Sequence, residues 1–193
     1  MSAGPPSEHE LIRRAREGDE EAFAELVSLN AGRVYRALRR FGLDEAEADE
    51  VSQEVFLRAW RGLARFQERA MFSTWLYRIA FNEAQRRRSR RTLPQAQTEL
   101  DGADPVAALP DAPERGPDAQ ALSREFEEVL ERALAQLPQD WRDAVVLRDV
   151  EGLPTRDAAE IVGVGEAAFK SRLHRGRMQL RPLLEPYLGL EGS

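Results

Sequence analysis

The chain has 193 residues, 42% hydrophobic and 32% charged, which suits one large or two small soluble domains and excludes a membrane-spanning protein. It contains no cysteine and only two histidines, His9 and His174, so disulfides and thiolate chemistry are excluded and neither a metal site nor a cofactor is expected. A net charge of −6 argues against indiscriminate coating of nucleic acid, but screening limits fields to about 10 Å, so local clusters decide the partners.

The opening MSAGPPSEHE lacks the basic start and apolar centre of a signal peptide, and the cytoplasm is the expected location. Ser7 and Glu10 have the spacing of a capping box for a first helix that stops at Gly18. A second helix from about Asp19 carries Phe23, Leu26, Val27, Val34, Leu38 and Phe41 at helical spacing and ends at Gly42. Asp44 is placed to cap a third, with Val51, Val55, Phe56, Ala59 and Leu63 inward. On another face of that helix recur Glu50, Gln53, Glu54, Leu57 and Arg61, either a partner surface or a solvated acidic face.

A short loop from Phe66 to Phe72 leads to Ser73, the expected cap of a fourth helix ending in Arg86, Arg87, Arg88, Arg90 and Arg91. Its residues Thr74, Tyr77, Arg78, Phe81, Asn82 and Gln85 form a mixed aromatic, amide and basic stripe. Such a stripe suits unpaired bases, which stack on aromatic faces for roughly 1 to 3 kcal/mol each. Trp75 is expected inward with Leu76 and Ile79, whereas Tyr77 and Phe81 fit either core or stacking. Five arginines exceed what a helix C-terminus needs for its dipole.

From Thr92 to Ala121 the chain has five prolines, no aromatic residue, and six acids against Arg115 alone, the composition of a flexible acidic linker. Helical periodicity resumes at Phe126, Val129, Leu130, Ala133 and Leu137, breaks at Pro138, and continues through Trp141, Val145, Val146 and Val150 to Gly152. Thr155 is the expected cap of a short helix through Val162. Gly163 makes a turn, and a last helix runs from about Glu166 to Arg181 before Pro182. The fold class is therefore all-α: two small helical domains, 7–91 and 122–188, joined by the linker 92–121.

Short helix, glycine turn and basic helix make a helix-turn-helix, whose second helix enters the major groove. Phe169, Leu173 and Leu180 with Ile161 and Val164 suit its inner face, leaving Ala167, Lys170, Ser171, His174 and Arg175 outward to read bases. Arg172, Arg177 and Arg181 are placed to hold phosphates. Gly163, Gly165 and Ala168 match the spacing of a dinucleotide-binding turn, but they follow a helix rather than a strand, so no nucleotide site is expected.

DEVSQEVFLRAWRGLARF (Asp49 to Phe66) and FSTWLYRIAFNEAQRRRSRR (Phe72 to Arg91) resemble the second domain of bacterial sigma factors of the extracytoplasmic-function class. LAQLPQDWRDAVVLRDVEGLPTRDAAEIVGVGEAAFKSRLHRGRMQL (Leu134 to Leu180) resembles their fourth domain. The resemblance implies a non-enzymatic initiation factor whose partners are core RNA polymerase, promoter DNA and an anti-sigma protein. It implies polymerase contact at Glu50, Gln53, Glu54, Phe56 and Trp60.

For the melted minus-ten strand the resemblance implies Phe66, Gln67, Glu68, Arg69, Ala70, Met71, Phe72, Ser73 and Thr74, then Tyr77, Arg78, Asn82, Gln85, Arg86, Arg87 and Arg88. For the minus-thirty-five element it implies Ala167, Lys170, Ser171, Arg172, His174, Arg175 and Arg177. The loop at Gln67 to Ala70 and the helix start at Gly165 to Ala168 depart from the family's usual residues, so the resemblance does not carry over the identity of the captured base, and a minus-thirty-five sequence unlike the common ones is expected. A stand-alone helix-turn-helix regulator is the alternative; it would dimerise and bind duplex half-sites without polymerase.

Overall fold

The computed structural model describes residues 6–66, 71–92 and 117–188, and every regular element among them is helical. The chain divides into two compact units. Most of the expected linker, 93–116, lies outside the described residues.

The first unit holds α1 (Glu8–Arg16), α2 (Glu20–Arg40), α3 (Glu45–Gly62), a single 3-10 turn (Leu63–Arg65) and α4 (Phe72–Thr92). Side-chain caps start the early helices. Ser7 Oγ accepts from the Glu10 N–H at 3.3 Å, but the expected capping box is only half made. The Glu10 carboxylate turns to Arg13 instead, at 2.6 and 3.1 Å, because a charged two-pronged pair outcompetes one backbone N–H. Asp19 accepts from the Ala22 N–H at 3.0 Å and from Arg14 Nε at 2.8 Å, tying the end of α1 to the start of α2. At α3 the box is complete: Asp44 accepts from the Glu47 N–H at 2.9 Å, and Glu47 accepts from the Asp44 N–H at 3.1 Å.

The amphipathic faces then close on one core. Leu11, Leu26, Leu38, Val55, Leu63, Leu76 and Phe81 are fully buried, while Phe23 and Val27 are half-buried. α4 begins at Phe72, so Ser73 sits inside its first turn and is not the cap. The reason is aromatic packing: the rings of Phe66, Phe72 and Trp75 meet at centroid distances of 5.0 to 5.8 Å, which draws Phe72 into the helix. Gly62 makes room for this cluster, since a Cβ there would lie 3.1 Å from Trp75 Cζ2.

The second unit holds α5 (Pro117–Ala135), α6 (Gln139–Val145), a π-helical turn (Val146–Val150), α7 (Thr155–Val162) and α8 (Glu166–Leu188). α5 starts within the segment read as linker, with proline in the first helical position, where its missing N–H costs nothing. Of its periodic residues Val129 and Ala133 are buried and Phe126 is exposed, while Leu137, just past its end, is buried. The helix expected through Trp141 to Val150 forms in two pieces, α6 and the wide π turn, and Gly152 follows at φ +73°.

Thr155 is the first helical residue of α7 and makes no side-chain cap; Pro154 occupies the cap position. Gly163 closes α7 in the left-handed region, φ +74°, where a side chain would be strained. α8 does not stop before Pro182 but runs through Pro182 and Pro186 to Leu188. Pro182 and Met178 one turn earlier are both exposed, so the carbonyl that loses its partner can be hydrated. Leu134, Leu147, Phe169 and Ala144 are fully buried at the centre of this unit. No helix among the described residues is long and apolar enough to cross a membrane.

Candidate polymerase and nucleic-acid interfaces

On α3 the alternation expected from the sequence is present: Glu50, Gln53, Glu54, Leu57 and Arg61 are exposed, while Val51, Val55 and Ala59 are buried. Gln53, Phe56, Leu57 and Trp60 join Glu20 and Phe23 of α2 around an open groove of about 390 Å³. Its floor is aromatic, with Phe23 and Trp60 rings 4.8 Å apart and tilted by 51°. Phe56 is only 9% exposed and offers an edge, whereas Leu57, at 48%, forms an apolar lip. Glu20 and Phe23 were missed by sequence reasoning because they come from a different helix; the apolar Leu57 on a polar face was the available signal. An apolar groove with one carboxylate, Glu20, in its lining suits a partner that offers apolar and basic side chains together.

α4 separates its predicted residues by burial. Phe66, Phe72 and Tyr77 are buried and Phe81 is 1% exposed, so in this conformation their rings pack the domain and present no free face for a base. Met71, Ser73, Thr74, Arg78 and Asn82 are partly exposed and Gln85 is exposed, which leaves a polar surface on α4. Gln67, Glu68, Arg69 and Ala70 lie outside the described residues.

Four arginines of the run, Arg86, Arg87, Arg88 and Arg91, are engaged within the domain. Arg91 Nε donates to Glu47 at 2.8 Å, Arg87 bridges Glu47 and Glu50, and Arg86 meets Glu83 at 3.1 Å. Glu83 also holds Arg58 at 2.8 Å, and the Arg88 guanidinium stands 5.8 Å from the Phe81 ring centre. The arginines therefore zip α4 to α3 as well as supplying positive charge. Glu50, predicted for polymerase, and Arg87, predicted for DNA, are partners of each other.

In the second unit α7, the Gly163 turn and α8 form the helix-turn-helix read from the sequence. Phe169, Leu173, Leu180 and Ile161 are buried, with Val164 half-buried, and Ala167, Lys170, Ser171, His174 and Arg175 are all exposed. The flanking arginines are not free: Arg177 donates from Nε and Nη2 to Asp149 at 2.8 and 2.5 Å, and Arg172 meets Asp140 at 3.1 Å. The hydrogen bonds that Arg177 donates to the Asp149 carboxylate hold its guanidinium pKa above the ordinary range. Among the described residues no group of three acidic or imidazole side chains is placed to hold a metal ion.

The units match two family models, Sigma-70 region 2 over residues 26–93 and Sigma-70, region 4 over residues 127–180. The chain is 34% identical over 187 residues to the RNA polymerase sigma-H factor of Pseudomonas aeruginosa, covering 94% of this chain and 95% of that one. It is 30% identical over 176 residues to the ECF RNA polymerase sigma factor SigW of Bacillus subtilis, covering 90% and 94%. Among solved structures it is similar to CnrH in complex with the cytosolic domain of CnrY, with a TM-score of 0.61 at 26% identity, covering 92% and 96%. The chain belongs to the extracytoplasmic-function class of sigma-70 factors, the RNA polymerase subunits that direct initiation at specific promoters.

Proposed function

We propose a division of labour among residues within that function. The α2–α3 groove with Glu50, Gln53, Glu54, Phe56, Leu57 and Trp60 receives core polymerase. The polar side of α4, Thr74, Arg78, Asn82 and Gln85, meets the melted minus-ten strand together with the loop 67–70. The exposed strip of α8 reads the minus-thirty-five duplex. The functional domains are 7–91 and 122–188; the tether read over 92–121 is shortened at its end, where α5 already begins at Pro117. The observation that carries this reading is the split of α8 into a buried apolar face and an unbroken exposed strip from Ala167 to Arg175.

Mechanistically, mounting two weak DNA-reading surfaces on one polymerase makes the second contact intramolecular and raises the joint affinity far above either alone. Capture of an unstacked base offsets an unstacking cost of a few kcal/mol. Stacking on Phe66, Phe72 or Tyr77 requires their cluster to open first, so base capture and rearrangement of the aromatic core are one event. The protein does no covalent chemistry of its own and acts in the cytoplasm. An anti-sigma protein is its regulator, a reading supported by CnrH, whose structure was solved with part of a second protein, CnrY.

The test is run-off transcription with purified chain and core polymerase over a promoter library. Initiation is expected only with both present. Gln53→Ala and Glu54→Ala together are expected to weaken core binding, and unchanged binding removes the assignment of that face. Sequence-specific duplex binding by a dimer without polymerase would favour a stand-alone regulator instead.

A further inference from the structure

The two arginines at the margins of the recognition helix are both held by carboxylates from outside it. Arg172 and Arg177 are five residues apart on α8, which places them about 140° apart around the axis, where the exposed strip meets the buried face. Asp140 on α6 takes Arg172 at 3.1 Å, and Asp149 on the π turn takes Arg177 with both of its oxygens, at 2.8 and 2.5 Å. The π turn, closed by the Glu151 N–H on Val146 O at 2.9 Å, turns the residues it carries away from their α-helical directions. Lys170 has only a loose surface neighbour, Glu166 at 3.8 Å, and Arg175 has no ion-pair partner among the described residues.

We propose that Asp140 and Asp149 are positioning residues that withhold Arg172 and Arg177 from DNA phosphates, so that the isolated chain binds duplex weakly and discrimination rests on Lys170, Ser171, His174 and Arg175. The proposal rests on the reading of α8 as the duplex-binding helix. Its physical basis is competition. A guanidinium already paired two-pronged with a carboxylate must give up that pair to meet a phosphate, and a phosphate left unmet in this way carries no sequence information. The Arg177 pair is the tighter of the two and is expected to have the larger effect.

The experiment measures binding of the full chain to a fluorescein-labelled duplex of mixed sequence between about 50 and 200 mM NaCl. Each additional phosphate contact steepens the salt slope by roughly 0.9, which over this range is about a 3-fold extra loss of affinity. Asp149→Asn is expected to bind more tightly at low salt and to show that steeper slope. Arg177→Ala alone should leave the slope where it is, and the double variant Asp149→Asn with Arg177→Ala should return to it. An unchanged or shallower slope in Asp149→Asn overturns the proposal, as does steepening that persists without Arg177.

Arg175→Ala separates the two levels of failure. If it weakens duplex binding while Asp149→Asn does nothing, only the restraint is wrong. If Arg175→Ala has no effect either, the assignment of α8 to DNA fails and the restraint fails with it.

Discussion

Gly176 of α8 lies directly on Val145 of α6: a Cβ on Gly176 would come within 2.6 Å of Val145 Cγ2 and 3.1 Å of the Trp141 carbonyl oxygen. Glycine inside a helix costs about 1 kcal/mol relative to alanine, so its presence here marks a place where two helices meet with no room for a side chain. The contact sets the recognition helix against α6, which carries Asp140 and leads into the turn that carries Asp149.

Gly176→Ala is therefore expected to destabilise the second unit by roughly 1 to 3 kcal/mol from overpacking, beyond the gain in helix propensity. Urea denaturation followed by circular dichroism reads the change. A variant more stable than the parent would show that α6 and α8 can separate freely.

Asp44 closes a reciprocal capping box with Glu47 and also faces Arg91 at 3.5 Å. Asp44→Ala should cost about 1 kcal/mol, the usual size of a lost N-cap. It should also loosen the end of α4, because Glu47, which holds Arg91, would lose half of its support. Thermal unfolding gives the first effect and amide exchange along α4 the second; an unmoved melting temperature would dismiss the box as a stabilising feature.

Asp19 supplies a pH dependence. Its carboxyl is held below the ordinary range, first by the Ala22 N–H and then by Arg14. A carboxylate with a lowered folded-state value stabilises the fold above its unfolded value, about 3.9, and loses that contribution as pH falls through the lower folded value. Asp19→Asn keeps an oxygen for Ala22 but no charge for Arg14. It should be less stable than the parent near neutrality and show a shallower decline below about pH 4. Parallel acid profiles of melting temperature for the two proteins would sink this account.

Leu57 tests the groove without touching the core, since it is 48% exposed. Leu57→Arg should change stability by no more than about 0.5 kcal/mol. It replaces the apolar lip with a cation, and binding to core polymerase is expected to weaken at least about 10-fold, or roughly 1.4 kcal/mol. Competition for core against a labelled sigma factor measures it, and undiminished binding would place the contact elsewhere.

Helix number, the inward faces of α3 and α8, and the glycine stop at Gly163 were open to reading along the chain. Each depends on neighbours within about one or two turns, where apolar spacing and left-handed φ are local properties. The motifs that mark a sigma factor are likewise contiguous strings. Local rules failed where a competitor entered from outside the pattern: Glu10 went to Arg13 and not to the cap, and Phe72 was drawn into α4 ahead of Ser73. They failed again where α8 continued through two prolines whose lost hydrogen bonds solvent can replace.

What no reading along the chain could settle was which side chains already have partners. Tyr77 and Phe81 suit either a core or a stacking surface until burial assigns them to the core. The groove exists only because Glu20 and Phe23 arrive beside Trp60 from another helix. The arginines look free as a run of letters, yet Arg87, Arg91, Arg172 and Arg177 each meet a carboxylate from a different helix or turn. Spacing within a helix is inscribed in consecutive residues, whereas pairing between helices depends on how their axes pack, and that is a property of the folded chain as a whole.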